Sequence, residues 1–178
     1  MKIEGNFSKD FQSEEFDIAF IPLGPLLQKL SQQNIPIYFK SITSEISCSK
    51  EIEEKLSAIE EVTFIGYPYG LEDKSKKLPL VRRGITSTPI WGNYSNAQNN
   101  ETFLVDAGVF PGSSGSPVFI YNQGAYSTGI NITIGTRIIF LGMLKNSIYN
   151  ENKQFIGLGE VIKSRVIFDF IEKKLRAA

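Results

Sequence analysis

The segment Phe110-Pro111-Gly112-Ser113-Ser114-Gly115-Ser116-Pro117, which runs into Val118-Phe119-Ile120, holds the residues of this chain most suited to chemistry. A serine on a tight loop between glycines, closed by proline and feeding an apolar strand, is a way to present a nucleophilic hydroxyl to a carbonyl. Gly112 lets the backbone approach a substrate carbonyl closely and lets main-chain N–H groups converge on it. A flexible Gly/Ser connector would explain the small residues, but not the strand-like apolar runs at both ends. Far upstream, Asp17 opens a second apolar run, Ile18-Ala19-Phe20-Ile21. An aspartate is rarely buried without a partner, so an acid in this setting is either a cap or turn residue or the orienting acid of a catalytic group.

In the serine peptidases built on paired β-barrels, histidine, aspartate and serine follow in that order, with the last two roughly 90–100 residues apart. Asp17 and Ser114 meet that spacing. Four segments occur in the matching order. Asp17-Ile18-Ala19 looks like the strand of the triad aspartate, and Val62-Thr63-Phe64-Ile65-Gly66-Tyr67-Pro68-Tyr69-Gly70-Leu71 is similar to the first strand and turn of the second barrel. Asp106-Ala107-Gly108-Val109 leading into the serine segment looks like the nucleophile loop, and Ile156-Gly157-Leu158-Gly159-Glu160-Val161-Ile162 with Ser164 to Leu175 looks like the last strand and closing helix. The chain therefore resembles the trypsin-like serine peptidases, in particular their bacterial HtrA-like branch, over most of residues 15–178.

That resemblance implies an all-β fold: a trypsin-like double β-barrel with an incomplete N-terminal barrel, plus a C-terminal α-helix. It implies hydrolysis of peptide bonds, with Ser114 as the acyl-forming nucleophile, Asp17 as the acid that orients a histidine, and the Gly112 and Ser114 amides as the oxyanion hole. The substrate would pair as an added strand near Met143, Leu144 and Lys145. Gly108 stands where an acidic residue would select lysine or arginine, so an apolar preference is expected instead. Ser113 stands where animal trypsins hold an aspartate that pairs with a newly cut N-terminus, so activation of that kind is not expected. No metal or organic cofactor enters the scheme.

One departure is severe: the sequence has no histidine. The general base that takes the serine proton is missing, and little activity is expected of this chain on its own. Too few residues precede Asp17 for the strands that normally carry the histidine, so the expectation is a truncated peptidase. The alternative is a degenerate homologue that binds extended peptides without cutting them. Lys145 is the one candidate for a substitute base. An α/β-hydrolase is excluded, because its Gly-x-Ser-x-Gly elbow has glycine where Ser116 stands and leads into a helix.

Composition sets outer limits. The chain has 178 residues, with 19 basic and 19 acidic side chains, so no net charge draws it to nucleic acid or an anionic membrane. A lone cysteine, Cys48, allows no internal disulfide, and without histidine or paired cysteines no zinc site is expected. The N-terminal residues contain no apolar signal segment, and no apolar run is long enough to span a bilayer. A cytoplasmic location is expected if Met1 is the true start. The partner expected is a polypeptide, with self-association through the incomplete barrel.

Short apolar runs separated by Gly, Pro, Asn and Ser predict an antiparallel β protein. Strands are expected near 2–7, 16–22, 36–42, 61–66, 79–87, 101–106, 116–121, 127–133, 137–144 and 155–162. Helices are expected over 49–59, capped by Ser49, and over 164–175, with Val166, Ile167, Phe170, Ile171 and Leu175 on one face. The organisation expected is 1–45 as the remnant of a first barrel, 46–60 as a helical linker, 61–162 as the second barrel and 163–178 as the closing helix.

Overall fold

The computed structural model describes residues 12–13, 15–94, 101–128 and 131–177. Its centre is a closed barrel of six strands: β3 (Glu61–Gly66), β4 (Leu80–Thr86), β5 (Thr102–Asp106), β6 (Pro117–Asn122), β9 (Arg137–Tyr149) and β10 (Phe155–Lys163). Around the barrel the order is β10-β5-β4-β3-β6-β9, and every pairing is antiparallel.

The sequence reaches this closure by alternation. Val62 and Phe64 of β3 point inward between more exposed neighbours, as do Val118 and Ile120 of β6. With Phe103, Val105, Leu141, Leu144 and Val161 they form the barrel core. Burying such side chains contributes about 1.5–3 kcal/mol each. Strand β9 is long enough to pair with β6 along its first half and with β10 along its second. Gly142 marks the change-over: a Cβ there would lie 1.8 Å from the Ile162 carbonyl oxygen, so only glycine lets the two backbones come this close.

A second apolar cluster lies outside the barrel. Helix α3 (Ser164–Ala177) lays Val166, Ile167 and Phe170 against Phe140 and Ile162, and Ile18 closes the cluster from the N-terminal side. Phe20 adds an edge-on contact to Phe170, with ring centroids 5.8 Å apart. Ile18 belongs to a two-residue ladder of β1 (Gln12–Ser13) and β2 (Ile18–Ala19).

The N-terminal third differs most from the sequence expectations. The strand expected over 16–22 reduces to β2. Residues 36–42 form no strand, because the alternation of Ile35, Ile37 and Phe39 meets no partner ladder; Ile37 and Phe39 stay 42% and 62% exposed. Helix α1 (Gly24–Gln32) was not foreseen; Pro25 in its first turn suits a helix start, and Leu26, Leu27 and Leu30 give it a half-buried face. The expected strand near 2–7 lies outside the described residues.

Two further expectations change. The helix over 49–59 shrinks to α2 (Lys50–Glu53). Ser49 caps it as expected, accepting from the Ile52 N–H, but Ser57 N–H then donates to the Glu60 carboxylate and Glu60 N–H to Thr86 Oγ1. These bonds lead the chain out of the helix into β3. The strand over 127–133 is a hairpin instead, β7 (Ala125–Thr128) paired with β8 (Asn131–Ile134), and it is closed by a bond from Gly135 N–H to the Gly124 carbonyl.

Candidate functional site

Ser114 is exposed on the turn that joins β5 to β6, and β6 begins at Pro117 directly after it. Val105 and Phe103 anchor the loop on one side in the barrel core, and Val118 anchors it on the other. Between these anchors most backbone acceptors are satisfied. The Gly108 carbonyl accepts from Arg82 Nη1 at 2.6 Å and the Val109 carbonyl from Ser147 Oγ at 2.6 Å. The carbonyls of Phe110, Pro111, Ser113 and Ser116 accept from the amides of Ser113, Tyr69, Ser116 and Leu144. Gly115 N–H donates to the Leu144 carbonyl at 2.7 Å. Among the described residues the N–H groups of Gly112 and Ser114, next to the serine hydroxyl, have no acceptor, and neither do those of Ala107, Gly108 and Phe110 earlier in the loop. A pair of unspent amides beside an exposed hydroxyl is a place where negative charge on a ligand would be stabilised.

The direction of the Gly112 amide has an identifiable cause. Tyr69 N–H holds the Pro111 carbonyl at 2.7 Å. In a planar trans peptide the C=O and the following N–H point in opposite directions, so this bond turns the Gly112 N–H away from the 67–70 turn. Tyr69 pays for the geometry with a left-handed backbone, φ 52, in a turn where only Gly70 would adopt it freely. Gly112 itself has φ +88, and a Cβ there would stand 2.9 Å from the Tyr67 carbonyl oxygen and 3.0 Å from the Tyr69 nitrogen.

Asp17 lies apart from this arrangement. It sits in the turn between β1 and β2, exposed, with φ 53, a conformation that aspartate tolerates better than most residues. It lines a cavity of about 220 Å³ with Gln12, Ser13, Ile18 and Ala19, and no hydrogen bond or ion pair joins it to Ser114. Its neighbour Ile18 packs toward α3, not toward the nucleophile loop.

The expected substrate strand is only partly available. Met143 is paired on both sides, with Pro117 and Ile162, and Leu144 spends its N–H and C=O on Ser116 and Gly115. β6 begins at that point while β9 continues to Tyr149, so among the described residues no strand covers the edge facing the nucleophile loop from Lys145 onward. Lys145 Nζ pairs with Glu160 at 3.5 Å, and no hydrogen bond links it to Ser114. Gly108, at φ +55, faces Arg82: a Cβ there would lie 3.0 Å from Nη2.

Other reactive groups are structural. Burial pushes the Cys48 thiol up to about 12, with the Glu53 carboxylate adding to the effect, so it is not a second nucleophile. Glu53, Lys163 and Arg165 form a buried ion network, with Lys163 Nζ and Arg165 Nε each 3.1 Å from the Glu53 carboxylate. Ser47 Oγ and Cys48 N–H both donate to Ser164 Oγ, fastening the linker to the start of α3. Sequence reasoning missed Arg82 and Tyr69. Both act through backbone placement, and neither carries an advance signal, because an arginine in a strand reads as solvent-facing and a tyrosine in a turn as an anchor. No protein-family model and no curated protein matches this chain.

Proposed function

We propose that this chain is the second-barrel part of a trypsin-like serine endopeptidase, similar to the HtrA-like branch, with Ser114 as nucleophile and the Gly112 and Ser114 amides as oxyanion hole. The observation that carries the reading is the pair of unspent amides flanking an exposed serine on a tight loop that enters a strand of a six-stranded barrel. On this reading residues 1–45 are the remnant of a first barrel, the whole being a trypsin-like double barrel. Ser114 would attack the scissile carbonyl, its proton would pass to a base, and the two amides would hold the oxygen as it becomes negative. Asp17 would orient that base on this reading.

The sequence contains no histidine, so the base must come from outside it. Removing the base from such a triad costs on the order of 10⁶ in turnover, and the oxyanion hole retains only about 10³–10⁴ over water. The chain alone is therefore a very poor peptidase. This favours a second reading, in which it binds extended peptides along the free edge of β9 without cutting them. A fluorophosphonate probe and a casein substrate, applied to the chain and to Ser114→Ala, test the first reading. The expected outcome is labelling and turnover near background for both. Robust Ser114-dependent turnover would overturn the missing-base argument.

A further inference from the structure

The nucleophile loop needs something to hold it. Ser113, at the position where an aspartate could form an activating ion pair, is fully buried, and its Oγ has no hydrogen-bond partner among the described residues. Arg82 holds the same loop from the other side. Half-buried on β4, it donates from Nη1 to the Gly108 carbonyl at 2.6 Å and lies 4.9 Å over the ring of Phe110 and 5.5 Å from that of Phe64. No carboxylate among the described residues pairs with it. The Phe110 ring is also stacked on Tyr69 and Phe155, with centroids 5.4 and 5.0 Å apart. The Phe110 carbonyl in turn receives the Ser113 N–H.

We propose that Arg82 is the positioning residue for the anion-receiving amides: by gripping the Gly108 carbonyl and the Phe110 ring it fixes the loop in the form that leaves the Gly112 and Ser114 N–H groups unspent. This rests on the reading of those amides as an oxyanion hole. The grip has two ends. Arg82 sets Phe110, whose carbonyl holds the Ser113 N–H, and the Ser113 carbonyl, on the peptide that carries the Ser114 N–H, accepts in turn from the Ser116 N–H. Tyr69 sets the peptide that carries the Gly112 N–H. The loop is thus held ready by a guanidinium already present in the second barrel, so no cleavage event is needed to order it. The planar fork is essential, because it must donate to a carbonyl while its face covers a ring; a lysine offers the charge without that geometry.

The test is a titration followed by amide NMR. The ligand is N-acetyl-tetra-alanine with a free carboxylate, with its C-terminal amide as control. In the unsubstituted chain the Gly112 and Ser114 amide protons are expected to move downfield with the carboxylate and not with the amide. Arg82→Lys and Arg82→Met are both expected to weaken that response at least ~10-fold, the scale of one lost charge-assisted hydrogen bond. If Lys restores full binding, the role is charge alone and the positioning proposal falls. If both variants bind as the parent does, Arg82 has no role, while the oxyanion reading stands. If the parent shows no carboxylate-dependent shift at Gly112 and Ser114, the oxyanion reading falls and Arg82's role falls with it. Phe110→Leu, which leaves Arg82 in place but removes the ring, serves if an Arg82 variant does not fold. A weakened response supports the grip, and parent-like binding overturns it.

Discussion

At the residue scale, the neighbouring serines of the loop have opposite fates. Ser114 is exposed, while Ser113 is buried with an unsatisfied hydroxyl. A buried polar group without a partner costs about 1–3 kcal/mol. Ser113→Ala is therefore expected to raise stability by about 1 kcal/mol in urea unfolding and to leave peptide binding unchanged. Ser113→Asp should lower stability by roughly 3–5 kcal/mol, because it buries a charge with no cation beside it. A stable Ser113→Asp chain would show that a cation reaches this position after all. The same scale explains what the sequence could reveal. Ser114 and Gly112 stand out because small flexible residues between strand-like runs need a reason. Arg82 does not stand out, since an arginine in an alternating strand reads as solvent-facing until the barrel register turns it inward toward Gly108.

At the element scale, the barrel was legible because each strand carries its own signal. The inward Val62 and Phe64 of β3, the apolar run Phe103 to Val105 of β5 and the Ser-Pro start of β6 suffice to place three strands within a residue or so of their observed bounds. The N-terminal third was not legible, because strand propensity without a partner ladder settles nothing: residues 36–42 alternate as a strand should and remain unpaired. α1 was missed for the complementary reason, since its apolar stripe of Leu26, Leu27 and Leu30 is short and half-buried. The junction of α2, β10 and α3 rests on charges rather than on apolar periodicity. Glu53 and Lys163 are 2% and 1% exposed and bonded to each other, and Arg165 joins them from α3. Glu53→Gln is expected to cost about 3–5 kcal/mol by stranding Lys163, whereas the double change Glu53→Leu with Lys163→Met should recover most of that loss. Denaturant midpoints of Glu53→Gln, of the singles Glu53→Leu and Lys163→Met, and of the double measure it. A double variant no more stable than the worse single would mean that the pair is not the source of the cost.

At the scale of the whole molecule, the two halves differ in closure. The barrel has no free sheet edge along its β3–β6 side, and its core is fully buried. The flank before it carries Ile35, Ile37 and Phe39 at 47%, 42% and 62% exposure, without a covering element among the described residues. No helix among those residues is long and apolar enough to cross a membrane. Exposed apolar surface tends to drive association. On the proposed reading this flank is what a complete first barrel would cover, so the isolated chain should self-associate through it. Sedimentation equilibrium over micromolar concentrations is expected to show oligomers that dissociate when Ile37 and Phe39 are both changed to serine. The barrel should stay intact in that variant, because neither side chain belongs to its core. A parent chain that sediments as a monomer across the whole range would sink the prediction. Association that persists in the double variant would move the contact elsewhere on the surface, with the outer barrel face around Val81, Tyr121 and Ile138 the next apolar ground to test.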